Sequence, residues 1–252
     1  MKFLRYLEEE TENWGWLFEE KVGKVQGNVF NSYRRLETST PISEIHLLPP
    51  VVPTKIICIG RNYAAHASEH QVDIPEIPLI FLKPPSTITT HGEKIFLPPQ
   101  SRQIEHEAEL AVVIGKKGRW IDPDMAEDYI FGYTIANDVT ARDLQRLDGQ
   151  WTRGKGFDTF CPIGPFIETE FDPSDALITC KVNNQVRQMG STRDMVFPIE
   201  KIIAFISSVM TLEPGDLILT GTPAGVGVLK DGDKIEIEIE GLGILQNKVE
   251  SN

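Results

Sequence analysis

In the stretch IEHEAELAVVIG, Glu105, Glu107 and Glu109 stand at alternate positions leading into an apolar run. Successive side chains of a strand point to opposite faces. The three carboxylates therefore share a face with Ala111 and Val113, while Ala108, Leu110, Val112 and Ile114 fill the other. Carboxylates are costly to bury unless something compensates their charge. The strand must lie between an apolar core and either water or a cation. A divalent ion is the simplest relief for adjacent desolvated carboxylates, and all-oxygen ligation selects Mg²⁺, Mn²⁺ or Ca²⁺ rather than zinc. A solvated strand edge is the competing reading.

The rest of the chain is rich in similar short segments. KIICIG, LIFLKPP, KIFLP, YIFGYTIAND, PIGPFI and ALITCKVNNQVRQ read as strands. The tail DKIEIEIEGLGILQNKVE alternates Ile and Glu with period two and predicts a half-buried hairpin. PIEKIIAFISSVM carries Ile199, Ile202, Ile203, Ile206 and Met210 at helical spacing, with Pro198 suited to the first turn. RNYAAHASEH and DVTARDLQRL predict short helices, capped by Asn62 and Asp138. Helices do not alternate regularly with strands, which argues against a Rossmann sheet or a (β/α)₈ barrel. The fold class expected is a sheet-rich, mixed α+β body. Residues 1–48 read as a small β-rich unit, ended by the extended connector HLLPPVVPTK, with the main domain at 49–252.

Bulk properties narrow the function. The net charge of -12 opposes nucleic acid or an anionic membrane as partner, and it would repel an acidic substrate unless a local cation reversed the field. Cys58, Cys161 and Cys180 are odd in number and lack a CxxC pair, which fits thiols in a reducing cytoplasm. The opening MKFLRYLEEETENW is too acidic for a signal peptide. A soluble cytoplasmic protein is the expectation.

Further candidates surround the carboxylate row. Asp138, at the end of an apolar strand in ANDVTARD, offers a third oxygen ligand or an ordinary helix cap. His66 and Glu69 are three apart on a predicted helix, hence on one face, where a carboxylate can orient an imidazole and raise its basicity. TGTPAGVG lacks the lysine and spacing of a P-loop, but its backbone N–H groups and threonine suit a carboxylate.

In order, GRNYAAHASE, FLKPPS, EAELAVVIG, GYTIANDVTARDLQ, GKGFDTFCPIGPF and GDLILTGTPAGVG resemble the fumarylacetoacetate hydrolase family, from about Lys55 to the C-terminus. The nearest branch is that of 2-hydroxyhepta-2,4-diene-1,7-dioate isomerases and acylpyruvate hydrolases. The resemblance implies a mixed β-sandwich roll, a homodimer and a Mg²⁺ or Mn²⁺ centre, Ca²⁺ being a further candidate. It implies Glu107, Glu109 and Asp138 as metal ligands, with Glu105 outside the motif, either behind the ligands or solvated. It implies His66, Glu69 and Lys155 as catalytic groups. Gln145 and Thr222 match substrate-binding positions, and Arg61 is a further substrate contact. Ala65, His106 and the EHQVD segment depart from the family pattern and bear on substrate choice.

The function implied is metal-dependent chemistry on a small 2-oxo or 2,4-dioxo acid or its enol. A divalent ion and Lys155 would stabilise enolate charge. Carbon–carbon hydrolysis, decarboxylation and isomerisation share that enolate. HQVDIPEIP would serve as a mobile lid. Two rivals stand beside this reading. A glycosidase also uses paired carboxylates, and the same fold could serve as a catalytically silent metal- or ligand-binding protein.

Overall fold

The apolar runs form strands, and the computed structural model, which describes residues 1–251, arranges them in three sheets of twelve, five and three strands. At the centre of the largest, Ile130–Asn137, Ala108–Ile114, Leu217–Leu219 and Ile56–Gly60 are consecutive neighbours. Ala108–Ile114 is antiparallel to both its neighbours, while Leu217–Leu219 runs parallel to Ile56–Gly60. The sheet is therefore mixed, as expected.

Ala108–Ile114 is buried throughout, and its two faces enter different cores. Leu110, Val112 and Ile114 pack in the main cluster, together with Ile178, Ile203 and Ile237. Ala111 and Val113 join Ile56, Cys58 and Leu217 in a second cluster. Alternation thus sorts the side chains as the sequence predicts, with one amendment. The strand is broken at Glu107: Ile104–His106 belongs to the three-stranded sheet, paired with Thr140–Ala141 and Gly227–Val228. Glu105 and Glu109 consequently lie on different sheets, with Glu107 at the junction.

The five-stranded sheet supplies the other side of the main core. Its hairpin of Lys234–Ile239 and Gly243–Ser251 buries Ile235, Ile237, Ile239, Leu245 and Val249. The helix Ile199–Val209 adds Ile202, Ile203 and Ile206 to the same core. Pro198 is the residue that precedes this helix rather than a member of its first turn, a placement its fixed φ equally permits. ALITCKVNNQVRQ is a hairpin, not one strand. Asn183 and Asn184 both take positive φ, the two-residue turn asparagine tolerates.

The N-terminal strands Lys2–Glu8, Thr11–Phe18, Lys21–Gly27 and Tyr33–Pro41 form a meander that extends the twelve-stranded sheet. Lys2 and Phe3 pair with Glu168 and Ile167.

Both predicted helix caps are corrected. The helix Ala64–Glu69 begins after Tyr63, and Asn62 instead ties three segments together. Its amide N–H₂ donates to the Phe197 and Thr220 carbonyls, and its Oδ1 accepts from the Phe197 N–H. The helix Arg142–Asp148 begins after Ala141, so Asp138 is too distant to cap it. All three cysteines are buried free thiols. Among the described residues, no helix is long and apolar enough to cross a membrane.

Candidate active site

Four chain segments converge on one cavity of about 310 Å³. The sheet order brings them there: the carboxylate strand, the strand ending at Asn137, the turn after Gly60 and the loop after Leu219 are neighbours at one end of the large sheet. Glu107, Glu109 and Asp138 are buried, and one oxygen from each lies within 4.8 Å of the others. Lys155 reaches into this trio, donating to Glu107 Oε2 at 2.7 Å and Asp138 Oδ2 at 2.6 Å. Its ammonium also lies 5.0 Å from the Phe81 ring centroid.

Two further cations were missed by the sequence reading. Lys83 is 1% exposed and donates to Asp138 Oδ1 at 2.7 Å. The strand LIFLK puts Lys83 in phase with Phe81, which lines the cavity, and out of phase with exposed Leu82, an orientation that only the folded structure reveals. Arg142 forks across the acidic row, with Nε on Glu105 Oε2 at 2.8 Å, Nη2 on Glu107 and Nη1 on Gln145 Oε1 at 2.6 Å. Glu105 also accepts from Gln103, so it is buried and paired rather than solvated.

The charges act on one another. Burial alone would raise the Glu107 carboxyl, but Lys155, Arg142 and His66 outweigh it and hold the group well below the usual carboxylate range. Glu109 bonds directly to no lysine or arginine. Burial, then the like charges of Asp138 and Glu107, push its carboxyl well up against the opposing pull of Lys155 and the Gly221 N–H. That N–H donates to Glu109 Oε2 at 2.6 Å. Gly221 holds φ at +100°, and a Cβ there would meet that of Asn62 at 2.7 Å, so only glycine serves this contact.

His66 is buried in the cavity wall with Nδ1 3.5 Å from Glu69 Oε2, beyond a proper hydrogen bond. Glu69 instead accepts the Gly225 N–H on both oxygens at 3.2 Å. Burial lowers the His66 pKa below its ordinary value, with His70 and Arg142 assisting and Glu107 and Glu69 opposing. Arg61, Gln145 and Thr222 line the same cavity. Thr222 donates its hydroxyl proton to the Ala108 carbonyl and accepts from Gln188 at 2.7 Å, fastening the loop to the strand. Phe81 and Trp151, rings edge to face at 5.0 Å, form an apolar wall. The segment after Glu69 has no helix or strand through Pro78, and its Val72 reaches the cavity. All nine site residues singled out from the sequence therefore gather here, Glu69 on the outer side of His66.

The donor set fits a hard divalent ion. Three buried carboxylates, one of them without a cation of its own, could hold it through oxygen alone.

A mixed, sheet-rich α+β body with a buried carboxylate trio facing a small cavity defines the class. The chain belongs to the fumarylacetoacetate hydrolase family. Residues 55–250 match the fumarylacetoacetate (FAA) hydrolase C-terminal family, and residues 1–50 match the Rv2993c-like N-terminal family. The mitochondrial oxaloacetate tautomerase FAHD2A of Bos taurus is 47% identical over 232 residues, covering 86% of this chain and 74% of that protein. The structure of a 2-hydroxyhepta-2,4-diene-1,7-dioate isomerase from Mycobacterium marinum superposes with a TM-score of 0.93 at 40% identity, covering 100% of this chain and 99% of that one. Maleylpyruvate hydrolase from Sphingobium sp. SYK-6, solved with manganese(II) and pyruvate, gives 0.83 at 31% identity over the full length of both chains.

Proposed function

We propose that the protein is a divalent-metal-dependent enzyme of small 2-oxo acids that moves a proton between their keto and enol forms. The observation that carries this reading is the buried trio Glu107, Glu109 and Asp138 with Lys155 against two of its members. With Glu109 ionised, as ion binding would require, four carboxylates, counting Glu105, face the three cations Lys83, Lys155 and Arg142, which leaves one negative charge. A divalent ion would turn that into one positive charge, the sign that draws in an anionic substrate. Glu107, Glu109 and Asp138 would hold Mg²⁺ or Mn²⁺. The ion's chemistry there would be that of a Lewis acid and template for the substrate's carboxylate and 2-oxo oxygens.

The chain's own groups account for the remaining steps. Lys155 places an ammonium where negative charge grows on the 2-oxo oxygen. Arg142 occupies only the carbonyl oxygen of Gln145, so the amide N–H₂ group can orient the substrate. Arg61 offers a guanidinium at the same wall. A carboxylate contact from Thr222 would require its hydroxyl to leave the Ala108 carbonyl. With Nδ1 turned toward Glu69, His66 has Nε2 left to take the C3 proton, which passes to the 2-oxo oxygen to complete the enol, and to give a proton back to C3 in the reverse direction. Phe81 and Trp151 exclude water from that exchange, and residues 70–78 act as its lid.

Proton transfer is favoured over carbon–carbon hydrolysis because Glu69 is held by Gly225 and is not hydrogen-bonded to His66. Moving a proton needs the imidazole alone, whereas activating water draws on the oriented pair. The 47% identical relative named as an oxaloacetate tautomerase supports the same choice. Residues 1–48 are taken as an appended unit and 49–252 as the catalytic body, since the two family matches adjoin between residues 50 and 55.

The test follows enol–keto interconversion of oxaloacetate by ultraviolet absorbance, with Mg²⁺ and with excess EDTA. Pyruvate release from oxaloacetate and acetylpyruvate is measured in parallel. Mg²⁺-dependent interconversion without pyruvate is expected. Pyruvate as the main product would replace the tautomerase with a decarboxylase or hydrolase, and activity indifferent to EDTA would remove the metal from the account.

A further inference from the structure

The sequence around the candidate base reads HASEH, and its last residue, His70, the first of the lid, takes no direct part in the proton transfer above. His66 and His70 lie four apart and Glu69 three from His66, so one face of the short helix and its end presents all three. One donor atom from each lies within 4.8 Å of the others. The rings meet edge to face with centroids 4.7 Å apart.

An independent observation points to a missing partner. His66 Nδ1 and His70 Nε2 are both buried and have no hydrogen-bond partner, although His66 as a whole is only 8% exposed. Buried ring nitrogens are rarely left unmatched. Around a tetrahedral zinc with bonds of about 2.0–2.1 Å, donor atoms lie roughly 3.3–3.4 Å apart. The 3.5 Å between His66 Nδ1 and Glu69 Oε2 is already close to that separation. The remaining pairs lie within 4.8 Å, a gap that side-chain torsions can close.

We infer that His66, Glu69 and His70 form a second metal site, selective for a borderline ion such as Zn²⁺ and distinct from the all-carboxylate centre. Two imidazoles and one carboxylate are a donor set zinc favours and Mg²⁺ does not. His66 and His70 both line the cavity, from which a further ligand could complete the coordination. Occupancy has a chemical consequence, which rests on the proposed role of His66. An ion on Nδ1 of a neutral imidazole fixes the ring proton on Nε2, so that nitrogen can no longer accept a proton. The site would therefore switch off turnover when zinc is abundant, even with Mg²⁺ present.

The test uses Co²⁺ as a spectroscopic stand-in on Mg²⁺-saturated protein. Wild type is expected to bind one Co²⁺ per chain that Mg²⁺ does not displace, with the visible absorption of a four- or five-coordinate ion. His70→Gln and Glu69→Gln should lose that absorption, while Glu109→Gln should keep it. Urea midpoints of the metal-free variants check that each still folds. Zn²⁺ should inhibit wild type at concentrations at least roughly tenfold lower than those needed for His70→Gln. No cobalt absorption in wild type would overturn the inference, as would absorption unchanged in His70→Gln or abolished in Glu109→Gln. Because binding is read without substrate, failure of the tautomerase reading would leave this result standing.

Discussion

At the scale of single residues, the site is a contest between burial and pairing. Glu107 stays ionised because Lys155 and Arg142 bond to it directly, whereas Glu109 is driven toward its protonated form by burial and by Asp138 and Glu107. A cation binding there would displace that proton, which makes affinity rise with pH. His66 gives the clearest pH prediction. Its folded pKa is depressed below the ordinary 6.5, so the ring stays neutral, and able to accept a proton, down to a pH lower than a free imidazole would allow. kcat/KM should fall on the acid side with an apparent pKa below 6.5, and the His66→Ala variant should lose that limb along with most of its activity. The sign is the same for stability, because the unfolded chain binds the proton first as pH falls below 6.5. An acid limb at or above 6.5, or one retained in His66→Ala, would show that another group carries it. Glu107, Glu109, Asp138, His66 and Glu69 were legible as residue types at fixed spacing, whereas Lys155, Gln145, Thr222 and Arg61 entered through the family resemblance. Lys83 and Arg142 were missed, because what marks them is a partner: Asp138, 55 residues from Lys83, and Glu105, 37 residues before Arg142. Only the order of strands brings those together.

At the scale of elements, periodicity carried most of the information and local chemistry the rest. The Ile–Glu hairpin follows its pattern, with Ile237 1% exposed and Glu238 facing solvent. Ile237→Ala should cost about 2–5 kcal/mol through lost contacts and a residual cavity, while Glu238→Ala should stay within about 0.5 kcal/mol. Urea denaturation at neutral pH distinguishes them, and equal shifts in the midpoint would contradict the register described above. Three features escaped the pattern for physical reasons. The break at Glu107 preserves the alternation of side chains, so nothing in the sequence separates Glu105 from the strand that follows. Glu9–Glu10 and Glu19–Glu20 turn the N-terminal hairpins with positive φ at all four residues, a conformation usually left to Asn and Gly. Asn62 and Asp138 looked like caps because their residue types are right for it, but both side chains face tertiary partners instead.

At the scale of the whole molecule, a chain of net charge -12 concentrates cations around one cavity. Lys83, Lys155 and Arg142 sit among the carboxylates, and Arg61 and Arg146 line the same wall. The large sheet makes this arrangement affordable, since both cores flanking Ala108–Ile114 are apolar and hold the strand rigidly while its end carries charge. The central claim is that the carboxylate trio is a cation site on which turnover depends. Glu109 tests it most directly: it lacks a lysine or arginine hydrogen bond, and a glutamine oxygen can still accept the Gly221 N–H. The measurement is a Mn²⁺ titration followed by electron paramagnetic resonance, on wild type and Glu109→Gln, with turnover assayed in the same samples. Tight Mn²⁺ binding in wild type, weakened by roughly tenfold or more in the variant together with its activity, is the result this account requires. Binding and turnover undiminished in Glu109→Gln would contradict it.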